Sequence, residues 1–445
     1  MTVTRERTSN DWLETWDPET SWDSRRAWRT LAVTTYALML AFISWFLVSA
    51  VAPILADLGF TLTTSQLFIL AAMPGLAGGL LRMVWTFLPP IMGTRRLVTF
   101  TTGLLLLPLI GWAVAIQDPS TPYTVLLLLA FLTGIGGGAF SGFMPSTSYF
   151  FPKSKQGTAL GLQAGIGNFG VSIVQLLTPW LVTVAVFGGS MFGVSQFITP
   201  PGADAPREVW YQNAGWFWVP FAVLGVILAW TVLRSVPVKV TKISDQFDIF
   251  RNRHTWIMTF LYVITFGTFS GFAAVFALLI KGHYGPDVFG EAGVSAVKYA
   301  FLGALVGSAA RIAAGPIADR LGGGRVTVFA AAGIMASSIY TATTLSPEGV
   351  HEFPKFLWGM LAIFFFAGVG NASTFKQMPM IFERRQAGGV IGWTSAIAAF
   401  GPFVFGIILA TVAPGLFFVV WGLLAGAGAA LAWWFYARQG AEKPS

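Results

Sequence analysis

Apolar residues in this chain come in long unbroken runs, separated by short stretches rich in glycine, proline and charge. Crossing the hydrocarbon core of a bilayer takes about 20 consecutive apolar residues in a helix. Runs of about that length recur twelve times, at 30–56, 65–90, 97–116, 122–149, 157–186, 213–234, 255–280, 299–318, 325–344, 355–378, 389–411 and 414–437. The pattern predicts an all-α membrane protein with twelve transmembrane helices. The longest internal polar stretch on the side of the termini, Pro237 to His254, lies between runs six and seven. It divides the chain into a tail (1–29), a first six-helix half (30–236), a linker (237–254), a second half (255–437) and a short C-terminal tail (438–445).

Sequence features recur between the two halves. Arg82 is followed by Arg96-Leu-Val-Thr-Phe, and Arg311 by Arg325-Val-Thr-Val-Phe, at the same spacing. Gly134-Ile-Gly leads to Met144-Pro145 as Gly368-Val-Gly leads to Met378-Pro379, and Gly161 with Phe169-Gly170 matches Gly392 with Phe400-Gly401. All three matches share nearly the same displacement along the chain, pairing helix 2 with 8, 4 with 10 and 5 with 11. Two pseudo-symmetric six-helix halves with a site between them are the major facilitator architecture.

Composition agrees with a membrane setting: of 445 residues, 55% are hydrophobic and only 10% charged, against roughly a quarter charged in soluble domains. The net charge of +8 is a topology signal and points to no nucleic acid. Of 27 Lys and Arg, all but Arg82, Arg311, Arg207, Lys281, Lys298 and Lys355 fall on one side, which predicts cytoplasmic termini by the positive-inside rule. The tail at 1–29 lacks the apolar centre of a cleavable signal, so the first helix is expected to direct insertion. Its tryptophans, Trp12, Trp16, Trp22 and Trp28, suit either an interfacial anchor or packing on helix ends. The chain has no cysteine, and no metal-ligand cluster, cofactor motif or nucleophile–base pair is apparent, so neither an enzyme nor a metal or cofactor site is expected.

The 19 acids and the histidines, His254, His283 and His351, all fall in tails, loops or helix ends, leaving only Arg82 and Arg311 inside apolar helices. Arginine near the bilayer centre costs about 3 kcal/mol or more, so it is usually there for function. Snorkelling is open to Arg82, about ten residues from its predicted helix end. Pairing with a membrane acid is open to neither. Two fixed cations facing one cavity make an anion site, and paired planar donors match a small planar oxyanion: nitrate, nitrite, bicarbonate or formate. Asn168 suits an interhelical hydrogen bond as well as a ligand contact. Gly134, Gly138 and Gly142, like Gly161 and Gly165, are four apart, a spacing that lets helices pack closely or slide.

With these residues in view, the chain resembles the nitrate/nitrite porters of the major facilitator superfamily, the NarK/NarU group. The resemblance rests on Ala159-Leu-Gly-Leu-Gln-Ala-Gly-Ile-Gly-Asn-Phe-Gly-Val-Ser172, on Gly392-Trp-Thr-Ser395-Ala-Ile-Ala-Ala-Phe-Gly401, and on Leu81-Arg82, Tyr149 to Gly157, His254 to Met258, Leu261-Tyr262, Ala310-Arg311, Asp319 to Arg325 and Ser373-Thr-Phe375. It implies that Arg82 and Arg311 clasp the anion, with Phe140 and Tyr262 around its faces and Phe266 nearby. It further implies a hydrogen bond from Asn168, and Gly165, Gly167, Gly392 and Ser395 lining the moving helices. The short loop around Phe382–Gly388 and the charge of Lys376 depart from the exchanger members of that family. Nitrate and nitrite, the lipid bilayer and no other partner are expected, with the chain acting as a monomer in a bacterial inner membrane. Exchange is favoured over proton symport because no titratable group is predicted on the path. A membrane anion sensor is the remote alternative, lacking a segment long enough for an output domain.

Overall fold

The computed structural model describes residues 11–186, 192–199, 205–237 and 248–445, with the side chains of 384 and 385 excepted. Most of the predicted linker and the start of the tail therefore lie outside the described residues. Among the described residues, twelve helices are long and apolar enough to cross a membrane. They are α1 Ser24–Leu58, α2 Thr64–Trp85, α3 Pro89–Ala115, α4 Tyr123–Ser148, α5 Lys153–Leu181, α6 Asn213–Val232, α7 Arg253–Ala292, α8 Ala296–Leu321, α9 Gly323–Ala342, α10 Val350–Ile381, α11 Gln386–Leu409 and α12 Pro414–Ala437. Between α5 and α6, β1 (Gln196–Ile198) pairs antiparallel with β2 (Arg207–Val209).

Local chemistry sets several of the ends. The Asp23 carboxylate accepts from the Arg26 amide at 3.0 Å and opens α1 ahead of the apolar run. Thr63 and Gln66 form a reciprocal capping box at the start of α2. Pro89, without an amide to leave unpaired, opens α3. The chain breaks where Gly93-Thr-Arg-Arg96 was expected to turn: Gly93 takes φ 75° and ψ 159° and separates a short helical piece opened by Pro89 from the rest of α3. A side chain there would be strained and would also meet Ser235 and Trp12. Arg82 stands in the last regular turn of α2, and Thr86 and Leu88 keep right-handed helical dihedrals on to that short piece, so the chain does not reverse until well beyond it.

The repeat seen in sequence recurs in packing. A Cβ on Gly134 of α4 would lie 2.7 Å from the Gly78 nitrogen of α2. Correspondingly, Gly368 of α10 presses on the carbonyl of Gly307 of α8. The register that carries Arg82 onto Arg311 also carries Gly78 onto Gly307, and Gly134 matches Gly368, so the two contacts are equivalent. Gly138 against Leu81 and Gly142 against Trp85 and Leu97 complete the α4 stripe. These glycines serve close helix packing within the first half.

Arg207, Lys281, Lys298 and Lys355 gather on the face opposite the one that carries residues 11 and 445. On that opposite face the two halves are stitched together. Ser65 Oγ donates to Ala410 O (2.7 Å), Lys281 Nζ to Pro53 O (2.9 Å), and Gln175 Nε2 to Ala273 O (2.8 Å). On the terminal face, residues 11–23 form a strap over the first half. Trp16 and Trp22 donate their indole N–H groups to Tyr149 O (3.0 Å) and Phe150 O (3.1 Å), and Asp11 pairs with Arg95 and Arg96. Of the two roles open to these tryptophans, Trp16 and Trp22 take packing on helix ends.

Candidate functional site

Side chains on a helix lean toward its N-terminus. α2 and α8 both run toward the terminal face, so Arg82 and Arg311 lean back toward the middle of the molecule even though Arg82 sits in a last turn. Arg82 is fully buried and Arg311 only 5% exposed. The Arg82 Nε donates to Gly137 O on α4 and Nη1 to Ser395 O on α11, each at 2.9 Å. The first bond stays within its half and the second crosses to the other. Its Nη2, and Nη1 of Arg311, have no hydrogen-bond partner in the protein. The two arginines share a ring contact, since Phe140 beside Arg82 meets Phe375 beside Arg311.

Aromatic rings enclose the two guanidinium groups. Arg82 lies 4.7 Å from the Phe140 ring, 5.0 Å from Phe266 and 5.2 Å from Trp45. Arg311 lies 5.8 Å from Phe375 on α10. Phe140 stacks with Phe266 at 6.5 Å and meets Phe375 edge-on at 6.3 Å. Tyr262 is nearly parallel to Phe266, 5.4 Å away, and 6.2 Å from Phe375. α7 is locally wound as a π turn at Val263–Gly267, between Tyr262 and the α-helix resuming at Thr268. Such turns shift the faces of the two flanking segments and recur at functional sites.

The remaining expected residues divide by where they point. Asn168 is buried with both carboxamide atoms unpaired, and the Tyr262 hydroxyl is likewise unpaired. Asn168 lies one turn from Gly165, where a Cβ would come 2.5 Å from Ile312, the residue after Arg311. Gly392 abuts Thr86 of α2, and Ser395 Oγ is 3.4 Å from Ser141 Oγ, so both sit where α11 meets the first half. Gly167 instead packs on Leu38 of α1, inside its own half.

Trp45 and Phe375 belong to this enclosure but were not singled out in sequence. Phe375 lay in the resembling stretch Ser373-Thr-Phe375; Trp45 gave no signal beyond being aromatic. Among the described residues no carboxylate pairs with Arg82 or Arg311. The acid nearest in sequence along α8, Asp319, is taken by Lys376. Two unneutralised guanidinium groups, unpaired carboxamide and hydroxyl groups and aromatic walls can bind a small flat anion, and among the described residues no Asp, Glu or His joins them to take up a proton.

The profile of the Major Facilitator Superfamily matches residues 34–398. The chain is 58% identical over 440 residues to a protein named as a probable nitrate/nitrite antiporter, NarK2 of Thermus thermophilus, covering 97% of this chain and 98% of that one. It is 35% identical to the nitrate/nitrite transporter NarU of Escherichia coli (strain K12), over 91% of this chain and 90% of NarU. Among solved structures, the proton:xylose symporter XylE bound to 6-bromo-6-deoxy-D-glucose superposes with TM-score 0.65 at 15% identity, covering 95% of this chain and 98% of that one. That last likeness concerns the fold alone.

Proposed function

The chain belongs to the Major Facilitator Superfamily, and on that premise we propose that it exchanges nitrate and nitrite across a bacterial inner membrane by alternating access. The observation that carries the reading is the pair Arg82 and Arg311, one from each half, held among aromatic rings without a carboxylate. In this reading the anion lies between the guanidinium groups and between the rings of Phe140, Phe266 and Tyr262. Asn168 donates to it. Gly165, Gly392 and Ser395 let α5 and α11 move past α8 and α2. The halves 30–236 and 255–437 rock about the site as a monomer, and the basic face with both termini lies in the cytoplasm.

Exchange follows from electrostatics. Two like charges facing one poorly hydrated space repel, and more strongly as the surrounding dielectric falls. Closing the empty carrier concentrates that repulsion, whereas an anion between the charges replaces it with two attractions. The loaded carrier therefore crosses and the empty one lags. No Asp, Glu or His among the described residues stands with the arginines to carry a proton in place of the second anion. The test is nitrate uptake into proteoliposomes with and without internal nitrite. Internal nitrite is expected to speed uptake about tenfold or more, and Arg82→Lys and Arg311→Lys to reduce it. Uptake into empty vesicles driven by a pH gradient would replace exchange with symport, and no nitrate uptake in any condition would remove the substrate.

A further inference from the structure

We propose that Asn371 on α10 is a further anion-contacting residue, donating from the second half as Asn168 does from the first; the inference rests on the nitrate reading above. Asn371 is 0% exposed, and neither its Nδ2 nor its Oδ1 has a hydrogen-bond partner in the protein. A carboxamide buried with both groups unpaired is destabilising and seldom kept without a ligand or a partner.

Its place follows from helix faces. Residues three and four apart on a helix are neighbours, so Phe364, Gly368, Asn371 and Phe375 form one stripe along α10, and Gly303, Gly307 and Arg311 one along α8. The two stripes run together. A Cβ on Gly303 would strike the Phe364 ring, and one on Gly307 would lie 3.0 Å from Phe364 O; Gly368 presses on the Gly307 carbonyl. The next residues along them are Arg311 on α8, and Asn371 and Phe375 on α10. The Phe375 ring lies 5.8 Å from the Arg311 guanidinium.

The repeat gives an independent argument. In the register that matches Gly134 with Gly368 and Met144 with Met378, Asn371 on α10 corresponds to Gly137 on α4. Gly137 is the residue whose carbonyl accepts from Arg82. The position beside each arginine is thus equivalent, but the occupants differ. In the first half a Cβ would fall 2.7 Å from Trp45, so only glycine fits. In the second half the position carries a carboxamide. Asn371 Nδ2–H donates to an oxygen of the anion held by Arg311, and Oδ1 is left to accept from the free Nη1 of Arg311.

The test measures nitrate KM in proteoliposomes, together with thermal melting of the purified protein with and without sodium nitrate, for wild type, Asn371→Leu and Asn371→Asp. Losing a hydrogen bond to a charged ligand should weaken nitrate roughly ten- to a hundredfold in Asn371→Leu. The melting temperature without nitrate should stay level or rise, because an unpaired buried amide is gone. Asn371→Asp places a carboxylate beside Arg311 and should abolish the nitrate-induced melting shift while the protein stays folded. A purely structural role would do the reverse, lowering the melting temperature and leaving KM alone. An unchanged nitrate KM in either folded variant overturns the proposal while the transport reading stands; a wild-type protein with neither uptake nor shift overturns both.

Discussion

Arginine keeps its charge at any pH a membrane protein meets, so what distinguishes Arg82 from Arg311 is how each is held. Arg82 spends Nε and Nη1 on the carbonyls of Gly137 and Ser395. The fork geometry of guanidinium makes both bonds at once, and a lysine ammonium on its flexible stem cannot reproduce that pose. Each charge-assisted bond contributes about 1.5–3 kcal/mol. Arg82→Lys is therefore expected to lower nitrate transport by about a hundredfold or more. Arg311 has no such pair of carbonyl bonds, so Arg311→Lys should cost nearer tenfold; initial uptake rates normalised to reconstituted protein separate the two. Both arginines were legible in sequence because a charge inside an apolar run has few bland explanations. Asn371, Trp45 and Phe375 were not. An asparagine or a ring within a membrane helix reads equally well as packing, and only the pairing of the α8 and α10 stripes shows which face it occupies.

Short segments outside the bilayer do specific work at the element scale. The C-terminal segment folds back on the second half. Lys443 N donates to Phe435 O at 3.1 Å, Gly324 N to Ser445 O at 2.7 Å, and Ser445 Oγ to Gln377 Oε1 at 3.1 Å. Glu442 pairs with Arg253 and lies 3.1 Å from His254 Nε2, whose other ring nitrogen is 3.0 Å from the Tyr436 hydroxyl. Hydrogen bonds from Arg253 and then His254 hold the Glu442 carboxyl down at about 2, against an ordinary 4.5. A carboxyl depressed in the folded state stabilises it fully above its unfolded value, and that contribution fades as pH falls through the folded one. Hydrogen exchange of residues 438–445 should therefore stay protected from pH 8 to about 5 and lose protection progressively below about 4.5. Glu442→Gln should remove that acid dependence. The strap at 11–23 does for the first half what this tail does for the second, and sequence could not assign it because tryptophan suits a lipid interface as well as a carbonyl partner.

For the whole molecule, the same architecture that was readable as a repeat sets what must move. The two halves touch tightly on the face opposite the termini, through Ser65 with Ala410, Lys281 with Pro53 and Gln175 with Ala273. Toward the terminal face, a Cβ on Gly157 or Gly161 of α5, Gly315 of α8 or Gly388 of α11 would meet nothing within 4 Å. One side is sealed by direct contact and the other leaves the ends of the site helices less constrained. Transport then requires the sealed face to part while the arginines remain occupied. Because the chain contains no cysteine, a single introduced pair reports on this step without background. Ser65 Oγ and Ala410 O are 2.7 Å apart, so the two halves meet directly at this point. In a Ser65→Cys, Ala410→Cys protein, oxidation should stop nitrate exchange and reductant should restore it. Because the cross-link leaves the terminal-face ends of the site helices free to part, nitrate should still raise the melting temperature of the oxidised form. Exchange that continues in the fully cross-linked protein would mean that this face need not open, and alternating access about the Arg82–Arg311 pair would fail with it.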